Sequence, residues 1–267
     1  MTQTKDLRIS LIQTTLFWES RDENLSHLEG LIGALKGKTD IIVFPEMFTS
    51  GFSMNTENDC DSMGGKTMQW MTKMAKELDA VLCGSLRMEV LGKFYNRFIW
   101  MQPDGSFEKY DKRHLFSFAN EDDHFTAGNE KLIIHYKGWK IMPLVCYDLR
   151  FPVWGKNRLV DGKPEYDILI YVANWPKARN VAWKTLLLAR AMENQAYVAG
   201  VNRVGVDGID IEYSGDSAII SPYGAYLAEA SVEQEDIIHA EFEFGLLSDF
   251  REKFPLLHDA DDFEIRN

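Results

Sequence analysis

Three short runs of wholly apolar residues each end on a polar side chain. Ile41-Ile42-Val43-Phe44 leads into Pro45-Glu46, Ile141 to Val145 into Cys146-Tyr147-Asp148, and Ile168 to Ala173 into Asn174-Trp175-Pro176. A strand with one wet face alternates apolar and polar residues, so a run without alternation is a strand covered on both sides. Such strands need a layer above and a layer below.

The segments between them are consistent with this. Leu7 to Gln13 alternates like a half-buried strand, and Ser20 is placed to cap a helix whose apolar face is Leu25, Leu28, Leu31, Ile32 and Leu35. A second helix carries Met68, Met71, Met74 and Leu78, a stripe that reads as core packing. Val81 to Leu86 and Phe94 to Met101 are β-like, and Pro103-Asp104-Gly105 turns into a short strand ending near Tyr110. Later strands are expected at Tyr197 to Val201, Asp216 to Ile220, Ala225 to Glu229 and Ile237 to Phe242, with a helix from Ala178 to Gln195. Roughly a dozen strands and at least four helices exceed one simple sheet. The expected α/β architecture is therefore two mixed sheets packed face to face, helices outside, in one domain over 1–267 with a loose acidic tail from about 255.

In α/β sheets ligands gather outside the carboxyl ends of strands, where loops can be shaped while the strand holds its last residues still. Glu46, Cys146 and Asn174 all stand at such ends. A thiol serves acyl transfer when a base or a cation raises its thiolate fraction. Glu46 is a candidate base, and Tyr110-Asp111-Lys112-Arg113-His114 offers cations, among which composition alone does not single out Lys112. Read one at a time, Cys146 is equally a small buried hydrophobe, Glu46 a solvated loop carboxylate and Lys112 a surface cation.

The balance of charge excludes some functions. With 41 acidic against 29 basic side chains the net charge is −12, which opposes binding to nucleic acid. The N-terminal Met1 to Asp6 lacks an apolar leader and no apolar run is long enough to span a bilayer, so a soluble cytoplasmic protein is expected. Cys60, Cys83 and Cys146 form no Cys-x-x-Cys pair and the six histidines are scattered. Neither a disulfide framework, a metal nor a cofactor is expected.

Taken together, the blocks resemble the nitrilase, or carbon–nitrogen hydrolase, superfamily, whose hallmark is a glutamate, a lysine and a cysteine on three loops in that order. Here they are Phe44-Pro45-Glu46-Met47, Asp111-Lys112-Arg113-His114-Leu115-Phe116 and Leu144-Val145-Cys146-Tyr147-Asp148-Leu149-Arg150-Phe151-Pro152. Ala173-Asn174-Trp175-Pro176, Arg190 to Asn194, Asn202 to Gly205 and Ser214 to Ser217 also match, so the resemblance spans almost the whole chain. It implies a four-layer αββα sandwich and a homodimer. It implies that Glu46, Lys112 and Cys146 are catalytic, with Glu121 supporting the lysine or the substrate and the Tyr147 backbone N–H sharing the oxyanion.

Glu46 to Phe52 with Lys112 to Phe116 most resembles the bacterial omega-amidase-like branch, which releases ammonia from the terminal amide of 2-oxoglutaramate or 2-oxosuccinamate. An arginine fork suits the free carboxylate of such substrates. Arg150 is the candidate, with a structural Asp148–Arg150 pair as the other reading. Phe116, Trp175 and Tyr147 are candidate pocket walls, and Asn174 a further substrate contact. Three readings compete: another amidase of the family, acting on deaminated glutathione, aliphatic amides or N-carbamoyl compounds; a Cys–His hydrolase using His114 or His124 with an orienting Asp or Asn; and a non-enzymatic binding scaffold.

Overall fold

A computed structural model describes residues 6–57 and 60–265. The N-terminal stretch 1–5 and the end of the acidic tail, 266–267, on which expectations also fell, lie outside the described residues. The first half runs β1 (Leu7–Gln13), α1 (Arg21–Ile32), β2 (Ile41–Val43), α2 (Lys66–Leu78), β3 (Val81–Val90), β4 (Lys93–Met101) and β5 (Phe107–Asp111). Leu91 and Gly92 join β3 to β4 with φ of 52° and 75°; two residues with positive φ make the tight hairpin turn that suits twisted strands. The second half runs α3 (Glu121–His124), β6 (Ile134–Tyr136), β7 (Trp139–Val145), β8 (Leu159–Val160), β9 (Lys163–Pro164), β10 (Ile168–Ala173), α4 (Asn180–Asn194) and β11 (Tyr197–Asn202). It closes with β12 (Val204–Val206), β13 (Glu212–Ser214), β14 (Ala218–Ile220), β15 (Tyr226–Glu229), β16 (Asp236–Phe242) and α5 (Phe244–Lys253).

Among the described residues the long strands form two six-stranded sheets, ordered β16-β1-β2-β3-β4-β5 and β15-β14-β11-β10-β7-β6. Both are mixed: β1, β2 and β3 are parallel, as are β7, β10 and β11, and antiparallel neighbours flank each set. Pro143 is tolerated inside β7 because β6 pairs only as far as Ile141, so no ladder donor is needed from it.

Alternation along each strand explains the apolar runs. Ile41 and Val43, with Leu7, Ile9 and Leu11, join a core shared with β7, β10 and β11. Ile42 and Phe44, with Ile12 and Leu82, face the other way, onto Leu28 of α1 and Met71 of α2. On the second sheet α4 supplies Trp183 and Leu187. Gly200 of β11 allows that helix close, since a Cβ there would lie 2.5 Å from Leu187 Cδ1. Each fully buried aliphatic side chain contributes roughly 1.5–3 kcal/mol, so these two cores carry the fold as helix, sheet, sheet, helix.

Several expectations are corrected. β1 is buried on both faces rather than half-buried, because Ser10 and Gln13 are covered and hydrogen bonded to His239 and to the backbone of Ser231 and Gln234. Ser20 stands at the N-cap of α1 without a side-chain capping bond. Asp216 precedes β14 in a left-handed turn, φ 56°, instead of starting the strand. The tail expected to be loose from about 255 lies against the body: Leu256–Asp259 makes a 3₁₀ turn, Leu257 is buried, Ile265 packs on the main core and Arg158 covers the Phe263 ring. Its apolar residues outweigh its acidic composition. Among the described residues no helix is long and apolar enough to cross a membrane.

Candidate active site

β2, β7 and β10 deliver Glu46, Cys146 and Asn174 to one place between the sheets. Glu46 follows β2 in a turn tied to β3 by Phe44 N–H to Cys83 O at 2.7 Å and Met47 N–H to Ser85 Oγ at 3.0 Å. Cys146 directly follows β7 with φ 44° and opens the 3₁₀ turn Cys146–Arg150. A non-glycine residue in that region is strained and persists only where the surroundings impose it. Here the sharp turn presents the thiol above the strand end. Asn174 joins the sheets: its N–H donates to Glu46 Oε2 at 2.8 Å and its Nδ2 to Glu46 O at 2.6 Å. Its own carbonyl faces the Cys146 thiol at 3.9 Å.

Lys112 enters from the end of β5, held through its N–H to Asn96 O at 3.0 Å and through its carbonyl, which accepts from Gly128 N–H at 2.9 Å. Nζ donates to Glu46 Oε1 at 2.9 Å and to both oxygens of Glu121 at 3.0 and 2.8 Å. Glu121 also receives Phe116 N–H at 2.6 Å. Glu46, Lys112 and Glu121 are all fully buried.

Burial and charge act in opposition here. Burial works against the Lys112 cation, but Glu121, Glu46 and Cys146 outweigh it and hold the ammonium well above its ordinary pKa. Burial raises Glu121; Lys112 opposes that rise and Glu46 adds to it. Burial, and after it the Glu46 carboxylate, push the Cys146 thiol well up, with Lys112 pulling it back. Cys146 is therefore a neutral thiol at pH 7 with a carboxylate beside it, an arrangement that needs proton removal at the moment of attack.

The cavity over the thiol holds about 150 Å³ and is lined by Cys146, Tyr147, Arg150, Asn174, Trp175 and Arg179 together with Phe52, Phe116 and Tyr213. That is below the roughly 300–1,000 Å³ typical of drug-sized ligands and suits a small molecule. Phe116 meets Tyr147 edge-on at 4.9 Å. The guanidinium carbon of Arg150 stands 4.7 Å over the Trp175 ring. The alternative Asp148–Arg150 pair is not formed. Asp148 instead accepts from His114, Tyr110 and the Val145 backbone.

His114 does have an orienting carboxylate, Asp148 at 2.8 Å, and its ring stacks on Phe151 at 3.8 Å. The ionisable groups acting on the thiol are nevertheless Glu46, Lys112 and Glu121. His124 is exposed. Among the described residues no three His, Cys, Asp or Glu side chains are gathered as a metal set.

The nine residues expected at the site of an amidase, Glu46, Lys112, Cys146, Glu121, Tyr147, Arg150, Phe116, Asn174 and Trp175, thus lie in one neighbourhood. Sequence reasoning missed Asn96, whose Nδ2 bridges Glu46 Oε1 at 2.8 Å and Glu121 Oε1 at 3.0 Å from the middle of β4. Its signal was an amide inside a strand rich in aromatic residues, Phe94, Tyr95, Phe98 and Trp100, a position where β-propensity disfavours Asn. It also missed Arg179, which carries no local signal.

Residues 8–252 match the carbon-nitrogen hydrolase family. The chain is 45% identical over 260 residues to omega-amidase YafV of Escherichia coli strain K12, covering 97% of this chain and 98% of that one. It is 34% identical over 254 residues to 2-oxoglutaramate amidase of Bacillus subtilis strain 168, covering 94% and 96%. A crystal structure of a CN-hydrolase superfamily protein from Xanthomonas campestris, with an arsenic adduct in its active site, superposes with a TM-score of 0.96 at 43% identity, covering 98% of this chain and 100% of that one.

Proposed function

Because the chain belongs to the carbon–nitrogen hydrolase family, which makes it a hydrolase of carbon–nitrogen bonds other than peptide bonds, we propose that it releases ammonia from the terminal amide of a short carboxylated amide such as 2-oxoglutaramate or 2-oxosuccinamate. The observation that carries this reading is the buried Glu46–Lys112–Glu121 cluster beside Cys146, beneath a small cavity with an arginine on its wall. The names of the Escherichia coli and Bacillus subtilis relatives support the substrate.

In this mechanism the Cys146 thiol attacks the amide carbonyl while Glu46 takes its proton. Lys112 Nζ and the Tyr147 N–H, at the start of a turn where N–H groups lack partners within the helix, hold the oxyanion. Glu46 returns the proton to the departing ammonia, leaving a thioester on Cys146. Water, deprotonated by Glu46, then attacks the thioester and frees the carboxylate product and the thiol. Glu121 keeps Lys112 aimed. Arg150 receives the carboxylate at the far end of the substrate, with Phe116 and Trp175 as walls and Asn174 setting the position of Glu46.

The protein works in the cytoplasm as a homodimer. The three free cysteines fit a reducing compartment. The edge strand β15 exposes Tyr226 and Leu227, and the exposed Met192 of α4 lies against Gly224 in the turn before that strand, apolar surface suited to a second copy.

A coupled ammonia assay tests the activity. Turnover of 2-oxoglutaramate is expected for the unaltered protein and less than about a thousandth of it for Cys146→Ala. No turnover by the former, or undiminished turnover by the latter, refutes the reading.

A further inference from the structure

Resting on that reading, we propose that Arg179 is a second anchor for the carboxylate end of the substrate, and that Arg150 and Arg179 together select 2-oxo acid amides over α-amino acid amides. Arg179 closes the 3₁₀ turn Lys177–Arg179 before α4 and lines the cavity with Cys146. Its guanidinium carbon stands 5.4 Å from the Phe116 ring and 5.8 Å from that of Phe118. Among the described residues that guanidinium makes no hydrogen bond or ion pair, and neither does that of Arg150. The contrast with its neighbour is plain: Lys177 reaches Glu233 at 2.8 Å and Glu212 at 3.4 Å.

Both cations are held by aromatic rings instead of counter-ions. Trp175 couples them: its ring carries Arg150 and its Nε1 donates to the Arg179 carbonyl at 2.9 Å. Cation–π seating fixes a guanidinium while leaving its N–H fork free for a carboxylate. Asp207 is the one carboxylate among the lining residues, and it is already engaged. Its Oδ1 accepts from Ile209 and Ile211 N–H at 3.0 Å each, and its Oδ2 from the Tyr213 hydroxyl at 2.8 Å.

The cavity thus offers two uncompensated cations and no free anion, inside a protein whose net charge is −12. A carboxylate with an adjacent oxo group presents only acceptors to these forks. An α-ammonium in the same place would face like charge with no partner, so glutamine and asparagine are excluded by repulsion as well as by weaker attraction.

Steady-state kinetics of the unaltered enzyme, Arg179→Met and Arg179→Lys on 2-oxoglutaramate, pentanamide, glutamine, succinamate and butanamide test this. Arg179→Met is expected to raise KM for 2-oxoglutaramate and succinamate, the two carboxylated amides without an α-ammonium, by about tenfold to a hundredfold, the worth of a charge-assisted hydrogen bond, with kcat changed by less than about threefold. Its kcat/KM for the two neutral amides should fall far less, and its preference for 2-oxoglutaramate over glutamine should shrink. Arg179→Lys should lie between the two. Equal losses on charged and neutral amides, or an unchanged KM for the charged ones, overturn the role of Arg179. An unaltered enzyme inert to 2-oxoglutaramate refutes the proposed substrate, while the succinamate-to-butanamide ratio still judges Arg179; inertness to all five overturns both.

Discussion

Asp148, two residues after Cys146, directs its carboxylate to His114: Oδ1 accepts the His114 backbone N–H at 3.0 Å and its ring Nδ1 at 2.8 Å. The second oxygen accepts Val145 N–H at 3.0 Å and Tyr110 O–H at 2.8 Å. One buried carboxylate therefore fastens the loop of the nucleophile to the loop that carries Lys112 and Phe116. Asp148→Asn keeps the shape but turns an NH₂ towards donors. A stability loss of about 1–3 kcal/mol is expected by urea denaturation, with kcat down at least tenfold and KM changed less. Wild-type kcat in this variant would show that the two loops hold their places without the carboxylate.

Lys112 neutralises part of a site that otherwise holds two buried carboxylates, Glu46 and Glu121. Lys112→Met leaves both uncompensated and is expected to cost roughly 3–5 kcal/mol. Lys112→Met combined with Glu121→Gln should recover much of that stability and none of the ammonia release. Additive stability losses in this double-mutant cycle would contradict the coupling.

Gly128 lies where a Cβ would come within 2.1 Å of the Asp111 carbonyl oxygen, beside the bond from Gly128 N–H to Lys112 O. Gly128→Ala must push the strand end that presents Lys112. About 1–3 kcal/mol of destabilisation and a fall in kcat are expected together. A variant as stable and active as the parent would show that the loop can yield freely.

Glu235, just before β16, supplies a pH-dependent tie to the segment after β1 and to α1 through Thr14, Thr15 and His27. Burial opposes its ionisation, but hydrogen bonds from Thr15 and Thr14 and the charge of His27 outweigh it and lower the carboxyl to about 2. A depressed folded-state pKa contributes stability above the unfolded value, near 4.3, and loses it as pH falls through about 2. Glu235→Gln should therefore be less stable than the parent at pH 6, by up to about 1 kcal/mol for a partly exposed group. The two curves should converge between pH 4.3 and 2. A gap in melting temperature that persists at pH 2 would assign the effect to packing.

Much of the fold was legible because its strands are buried on both faces. A continuous apolar run such as Ile168 to Ala173 marks such a strand locally, and the helix with Met68, Met71 and Met74 declares its face by spacing. The short strands β6, β8, β9, β12 and β13 were not legible, since two or three residues carry no period. Nor was α5, whose apolar residues lie among charged neighbours. The 3₁₀ turn Lys177–Arg179 delayed α4 by two residues, a choice made by the backbone bonds around Pro176 rather than by propensity.

What the amino-acid order determined by itself was that Glu46, Cys146 and Asn174 stand at strand ends, and, by resemblance, which chemistry Glu46, Lys112 and Cys146 belong to. Which groups surround the thiol was decided only by tertiary structure. Asn96 and Asp148, unlike Glu121, which the resemblance already implied, act through hydrogen bonds to residues 25 to 50 positions away, and such pairings exist only once two sheets are pressed together. The same reason holds for Arg179. In sequence it is one cation among 29, and only the packed cavity shows that it has an aromatic seat and, among the described residues, no counter-ion.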